Sequence, residues 1–203
     1  MPCISPSAPA TPATVALSSE SQPSVGTEDR TALQKHLDFF DQNKDGYVTV
    51  SESARGLSSL GIPSYKAWPG AFVVNSVIGT MTYGYPSTTI DTSRIARAKH
   101  EGDTGVYDTQ GKFVQAKFDE LFTTFDVDGD GALNGPEIEA LLTRNRKGDF
   151  GAALARLELP VLLKVAGEDK QVGDDTVRVL SRERLQEFYD GTLFYDIAAE
   201  NAG

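Results

Sequence analysis

Cysteine and histidine are scarce in this chain of 203 residues, which has one cysteine and two histidines. The single cysteine, Cys3, excludes an intramolecular disulfide and with it a small secreted fold held by disulfide bridges. No lysine or arginine precedes Arg30. We therefore expect neither the basic start of a secretory signal peptide nor an arginine-rich transit peptide.

Basic residues are also in short supply, since 19 lysines and arginines face 29 aspartates and glutamates, for a net charge of −10. Proteins that bind phosphate backbones need a face on which basic residues are concentrated. The charge balance therefore argues against a nucleic acid as the partner.

A long apolar run is missing as well. The longest uncharged stretch, residues 67–90, is broken by three glycines and by Asn75, Ser76, Thr80 and Thr82. A helix that spans a bilayer needs about 20 mainly apolar residues. We therefore expect this stretch to form a buried helix or an element that lies on a membrane surface.

The first 28 residues contain five of the ten prolines and show no hydrophobic periodicity. This composition predicts a disordered tail rich in serine, threonine and proline. The rest, residues 29–203, is long enough for one folded domain, and its helical spacing predicts a mainly α fold.

Two twelve-residue segments have the pattern of calcium-binding EF-hand loops: residues 41–52 (loop 1) and residues 126–137 (loop 2). Each places oxygen-bearing side chains at positions 1, 3, 5, 9 and 12 and glycine at position 6, and Ca²⁺ takes six to eight oxygen ligands. With the main-chain carbonyl of position 7, the predicted ligands are Asp41, Asn43, Asp45, Tyr47, Thr49 and Glu52 in loop 1 and Asp126, Asp128, Asp130, Ala132, Asn134 and Glu137 in loop 2.

The distance between the loops is about twice the 40 or so residues that two tandem EF-hands require. We place an insertion at residues 61–112 and expect the two EF-hands to pair in spite of it, through Val48 and Leu133 at loop position 8. Loop 1 contains three carboxylates and Lys44, whereas loop 2 contains four carboxylates and no cation of its own. This count predicts tighter calcium binding at loop 2.

The C-terminal third shows two further helical patterns, at about residues 149–165 and 181–198. Ser181 is placed to cap the second one, and Asp190 with Gly191 predicts a break within it. The charged residues 167–175 between the two patterns predict a loop.

The two histidines, His36 and His100, lie on either side of the uncharged stretch. Neither belongs to a zinc-binding pattern. Each is either a hydrogen-bonded polar residue of the fold or a ligand, and imidazole is the usual axial ligand of haem iron. Two histidines from distant segments can meet at one iron.

Three segments resemble the caleosins, EF-hand proteins of lipid droplets: residues 33–46 around His36, residues 97–113 around His100, and residues 189–194. With residues 145–146, the resemblance extends from about residue 30 to 198. The uncharged segment is shorter and more polar than the anchor of that family, and loop 2 is intact where the family usually shows one clear EF-hand.

The resemblance implies a calcium-binding peroxygenase with haem b, in which His36 and His100 bind the haem and serve catalysis. Such an enzyme transfers oxygen from a lipid hydroperoxide to an unsaturated fatty acid or a similar acceptor. The family also implies a place on the lipid droplet or the endoplasmic reticulum surface, and otherwise in the cytoplasm. The oligomeric state is left open.

Two other functions remain open at this point. The chain can be a calcium-binding protein that attaches to lipid droplet or membrane surfaces without catalysis. It can also be a soluble calcium sensor that presents an apolar groove to a protein partner, although sensor grooves are often rich in methionine and this chain has only two.

Overall fold

The computed structural model describes residues 30–99, 105–144 and 150–203, and for residues 150–155 and 157 it describes the backbone alone. Most of these residues are helical, which confirms the mainly α fold. The helices are α1 (Ala32–Asp38), α2 (Val50–Ser59), α3 (Ser64–Tyr83), α4 (Gln115–Phe125), α5 (Gly135–Arg144), α6 (Phe150–Ala166), α7 (Arg182–Asp190) and α8 (Leu193–Ala202), with a 3₁₀ helix over Thr92–Ala98. The strands are β1 (Tyr47–Val48), β2 (Ile90–Asp91), β3 (Ala132–Asn134), β4 (Glu168–Val172) and β5 (Asp175–Ser181).

Helix α1 is short but well anchored at both ends. Thr31 and Gln34 form a reciprocal capping box at its start. At its end, Asp38 accepts hydrogen bonds from the Arg30 guanidinium, one of them at 3.0 Å from Nε. This bond to Asp38 raises the pKa of Arg30 above its ordinary value. The helix that carries His36 is therefore held immediately before loop 1.

Loop 1 pairs with the region that was predicted as an insertion. Its strand β1 is antiparallel to β2, with Val48 opposite Ile90. The side chain of Asn75, fully buried on α3, donates to the main-chain oxygen of Val48 at 2.9 Å and to that of Thr88 at 3.1 Å. Helices α1 and α2 with loop 1 therefore face a second helix–strand–helix unit, made of α3, β2 and the 3₁₀ helix.

Loop 2 pairs with the C-terminal region. Its strand β3 is antiparallel to β5, with Leu133 opposite Leu180, and β5 continues to β4. The prediction that the two calcium loops pair through Val48 and Leu133 is therefore wrong. Because each half of the chain supplies its own partner strand, neither loop needs the other to satisfy its main-chain hydrogen bonds.

The C-terminal region contains one further correction. Residues 167–175, predicted as a loop, contribute strand β4 and the turn of a β-hairpin. The helical patterns on either side are confirmed. Ser181 caps α7 by accepting a hydrogen bond from the N–H of Arg184, and Gly191 ends it in the left-handed conformation, at φ +88°.

Helix α3 has one buried and one exposed side. Ala67, Ala71 and Asn75 are fully buried, whereas Tyr65, Trp68 and Phe72 are 74 %, 52 % and 57 % exposed. The expectation of a helix in this uncharged stretch is confirmed. Among the described helices, none combines the length and the hydropathy that crossing a bilayer requires.

Candidate functional site

Loop 1 is closed by hydrogen bonds to its own carboxylates. Asp41, which is buried, accepts from the N–H groups of Asp45 at 3.2 Å and Gly46 at 3.0 Å. Glu52, also buried, accepts from the N–H of Thr49 at 2.9 Å and returns a capping bond through its own N–H. These bonds point the oxygen-bearing side chains of the loop inward, toward the space that a cation would fill.

Loop 2 repeats this geometry. Asp126 accepts from the N–H groups of Asp130 at 3.0 Å and Gly131 at 3.1 Å, and Glu137 accepts from that of Asn134 at 3.0 Å. The carboxylates of Asp126, Asp128 and Asp130 bring one oxygen each within 4.8 Å of one another. Three carboxylates at this separation provide the hard oxygen donors that Ca²⁺ prefers.

The basic side chains near the two loops are not distributed as the residues within each loop indicate. In loop 1 the ammonium group of Lys44 donates to the main-chain oxygen of Asp38, outside the loop. In loop 2 the ammonium group of Lys170, on β4, lies 3.0 Å from Asp130 Oδ2. The count of charges within each loop therefore misses a cation at loop 2, and no local pattern in the sequence identifies it.

His36 lies on the wall of an apolar cavity between α1, α2, α3, α6 and α7. Its ring packs edge-on against Phe194 at 4.4 Å and Phe188 at 5.1 Å between ring centroids. The remaining wall is almost entirely aliphatic or aromatic; its lining includes Leu37, Phe40, Leu57, Leu60, Val74, Ile78, Ile90, Leu162 and Val165. The imidazole of His36 therefore faces the interior of the fold.

A close approach of two main-chain segments sets the position of the His36 ring. A Cβ atom at Gly191 would lie 2.7 Å from the oxygen of Ala32 and 2.9 Å from the nitrogen of His36. Only glycine fits between α1 and the turn after α7, which brings Phe188 and Phe194 onto the imidazole. The histidine and the residues 189–194 noted in the sequence therefore belong to one site.

Glu158 is the acidic residue of this cavity among the described residues, and the sequence analysis missed it. It lines the same cavity as His36 and also a smaller one of about 50 Å³ that His36 lines as well. The available signal was a single acidic residue between two leucines in the apolar part of α6. Glu158 and His36 are the ionisable side chains among the described residues that line this otherwise largely apolar cavity.

Whether an iron porphyrin suits this cavity depends on chemistry and on volume. The donor chemistry fits, because an imidazole on an apolar wall is what a haem iron requires. The enclosed space is about 120 Å³, whereas sites for small ligands occupy about 300–1,000 Å³. The aromatic and aliphatic side chains around His36 therefore have to move apart before a porphyrin can enter.

His100 lies outside the described residues, so its meeting with His36 stays a prediction. The chain before it approaches His36, since Ala98 and His36 both line the smaller cavity. Two basic residues near this point have protein partners. Arg94 forms an ion pair with Asp91 at 3.2 Å, and Lys99 donates to the main-chain oxygen of Asp108 at 2.7 Å.

Comparison with known proteins gives a family and several relatives. The family model described as caleosin related protein matches residues 28–198. A protein named peroxygenase from Lilium longiflorum is 31% identical over 179 residues, which cover 85% of this chain and 72% of that protein. Probable peroxygenase 4 of Arabidopsis thaliana is 31% identical over 172 residues, which cover 82% of this chain and 85% of that protein.

A further relative carries a calcium-binding name alone. The probable calcium-binding protein CML27 of Oryza sativa subsp. japonica is 27% identical over 129 residues, which cover 59% of this chain and 64% of that protein. The chain is thus similar both to proteins named as peroxygenases and to one named only for calcium binding.

Proposed function

Because the chain belongs to the caleosin family, we propose that it is a calcium-binding peroxygenase that uses haem b. The reaction transfers one oxygen atom from a fatty acid hydroperoxide to the double bond of an unsaturated fatty acid or a similar acceptor. The hydroperoxide is reduced to the alcohol as the double bond is oxidised, so the reaction needs no other oxidant or reductant. The observation that carries this proposal is the placement of His36 in an apolar cavity directly before a calcium loop.

Each part of the cavity has a task in this proposal. His36 binds the haem, with His100 as the second histidine ligand, and the apolar lining receives the acyl chain of the substrate. Bound haem supplies the oxygen-transfer chemistry that side chains do not offer. If one of these two histidines left the iron, it would accept the hydroperoxide proton and return it to the departing alcohol. Glu158 lines the same cavity as His36.

Calcium has a positioning role in the proposed enzyme. The ion in loop 1 fixes the end of α1, and hence His36, because Asp41 follows this helix after two residues. The ion in loop 2 acts through β5 and the capped start of α7, which carries Phe188 against His36. The proposed ligands are Asp41, Asn43, Asp45, Tyr47, Thr49 and Glu52, and Asp126, Asp128, Asp130, Ala132, Asn134 and Glu137, with Tyr47 and Ala132 acting through their main-chain oxygens.

The exposed side of α3 favours a second function, attachment to a lipid surface without catalysis. Tyr65, Trp68 and Phe72 follow one another at helical spacing and are all exposed. Aromatic residues on one side of a helix suit the boundary between lipid headgroups and acyl chains. We place the protein at the surface of lipid droplets or the endoplasmic reticulum. In the proposed enzyme, this helix attaches the protein to the surface that holds its lipid substrates. In the alternative, attachment to that surface is the protein's only role.

An absorption spectrum separates the two functions. Protein produced with a haem precursor is expected to show a Soret band, which His36→Ala and His100→Ala lose together with hydroperoxide-dependent epoxidation. Lys35→Ala, an exposed position on the same helix, is the matched control and retains both. Colourless protein with full activity would contradict the haem enzyme. Colourless, inactive protein that floats with lipid droplets would support the alternative.

A further inference from the structure

Lys170 places a cation on a carboxylate of loop 2, and loop 1 has no such contact among the described residues. Its ammonium group lies 3.0 Å from Asp130 Oδ2 and 2.8 Å from the main-chain oxygen of Asp130. Asp130 is position 5 of loop 2, and Lys170 follows it in the chain by 40 residues. The contact joins a proposed calcium ligand to a different structural element.

The ammonium group binds the oxygen that the loop itself leaves open. Asp130 Oδ1 accepts a hydrogen bond from the N–H of Ala132 at 2.9 Å, which closes the loop. Oδ2 accepts no such bond from the loop, so Lys170 binds the oxygen of this carboxylate that the loop's own hydrogen bonds leave open. Lys170 and a Ca²⁺ ion in the loop would share the Asp130 carboxylate, and their like charges would repel each other.

Two strand pairings hold Lys170 in place. On β4 it lies opposite Val177 of β5, and β5 in turn pairs with β3 of loop 2. The N–H of Arg182, directly after β5, donates to the oxygen of Gly131 within the loop at 3.2 Å. The register of the hairpin thus positions the ammonium group of Lys170 at Asp130. The backbone of Lys170 is fixed by strand pairing, unlike that of a lysine in a surface loop.

Loop 1 provides the internal comparison. Asp45, its position 5, has Oδ1 bonded to the N–H of Tyr47 at 2.8 Å, as in loop 2. Its Oδ2 accepts from the neutral amide of Asn43 at 2.8 Å rather than from a cation. The only basic residue of loop 1, Lys44, donates to Asp38 instead. The two loops therefore share their closing hydrogen bonds and differ in the charge at this oxygen.

We infer that Lys170 is a built-in counter-ion of loop 2 that competes with Ca²⁺ for Asp130 and lowers the calcium affinity of this loop. The inference rests on the calcium binding of the proposed function. The charge of Lys170 offsets the tighter calcium binding that the fourth carboxylate of loop 2 predicts. It also links the hairpin to calcium, because the ion enters only as the ammonium group gives up its contact with Asp130.

The test is calcium titration by calorimetry with the full chain, in which Glu52→Gln silences loop 1. Adding Lys170→Met is expected to tighten binding at loop 2 about fivefold, the size of an exposed ion pair. Lys170→Arg keeps the charge and is expected to leave the affinity within about twofold, and the gain from Lys170→Met shrinks as added salt screens the charge. Lys44→Met, measured with loop 2 silenced by Glu137→Gln, is the matched control and leaves loop 1 unchanged.

A second measurement uses thermal unfolding. In a calcium chelator Lys170→Met is expected to melt at a lower temperature than the wild type, because the carboxylates lose their counter-ion. With saturating calcium this difference is expected to shrink or reverse. Unchanged affinity in Lys170→Met, or an equal gain in Lys170→Arg, overturns the inference about Lys170 alone. Absence of calcium binding in every protein overturns the calcium part of the proposed function as well.

Discussion

The two calcium loops have nearly the same internal hydrogen bonds but different surroundings. Loop 1 joins a strand from the uncharged region and receives the amide of Asn75 from α3. Loop 2 joins a hairpin from the C-terminal region and receives the ammonium group of Lys170. The twelve-residue motif fixes how each loop closes, whereas remote parts of the chain determine its partner strand and the charge beside it.

This difference gives the loops separate routes to the His36 cavity. Loop 1 connects α1 and α2, which contribute Leu37 and Leu57 to the wall. Loop 2 is connected by β5 to α7, which contributes Phe188. In the proposed enzyme, calcium at either loop would therefore act on a different wall of one cavity. Variants that affect one loop at a time test whether the two routes are independent.

The largest expected effect comes from the strands that join each loop to its partner. Leu180→Ala, opposite Leu133, and Ile90→Ala, opposite Val48, each remove a buried side chain from one pairing. Each is expected to lower the free energy of unfolding by about 2–5 kcal/mol, because a cavity remains. Urea unfolding measures this change. A loss below about 1 kcal/mol at one position would show that its pairing contributes little to the fold.

A smaller effect, confined to one loop, is expected from the last ligand. Glu137→Gln and Glu52→Gln each replace a buried carboxylate by a neutral amide. Each is expected to weaken calcium binding at its own loop by at least about 100-fold, or about 2.7 kcal/mol, since even outer-shell partners of a metal ligand contribute about 10- to 100-fold. Calorimetry resolves the two sites. If either variant removed both binding events, the separate routes would have to be abandoned.

The closed geometry of both loops was predictable because the calcium motif is local: its residues lie within twelve positions and its glycine marks the turn. The helices and the cap at Ser181 were predictable for the same reason. Strand β4 was not, because nearly all of its side chains are exposed and it therefore lacks the alternation of apolar and polar residues that marks a strand. The partner strands and the position of Lys170 depend on pairings between distant segments, which spacing does not encode.

A moderate effect that distinguishes the loops is expected at Asn75. Replacing it by alanine leaves the main-chain oxygens of Val48 and Thr88 without this donor. Buried acceptors without a partner cost about 1–3 kcal/mol, so urea unfolding is expected to show a loss of this size. Calcium affinity should fall at loop 1 alone.

Ser76→Ala is the matched control, because Ser76 is the next residue on α3 and bonds only to Phe72 of the same helix in the described structure. It is expected to leave both stability and affinity unchanged. An equal loss of affinity at loop 2 in Asn75→Ala would mean that the loops communicate through the core.

The smallest expected effect concerns loop position 4, where the loops carry different residues in the same conformation. Lys44 has φ +58° and Gly129 has φ +70°. A side chain in this left-handed region costs about 1–2 kcal/mol. A Cβ atom at Gly129 would meet no other atom within 4 Å, so Gly129→Ala adds no steric clash. This substitution is therefore expected to destabilise the calcium-free protein by about 1 kcal/mol through backbone conformation alone. Lys44→Gly removes the same backbone strain, which stabilises the folded protein. It also raises the entropy of the unfolded chain and removes the bond to Asp38, and both effects destabilise the folded protein. The free energy of unfolding is therefore expected to change by no more than about 0.5 kcal/mol. Urea unfolding in a chelator measures both. If Lys44→Gly destabilised the protein as much as Gly129→Ala, the bond from Lys44 to Asp38 would be holding loop 1 closed, and the two loops would differ in their closure as well as in their surroundings.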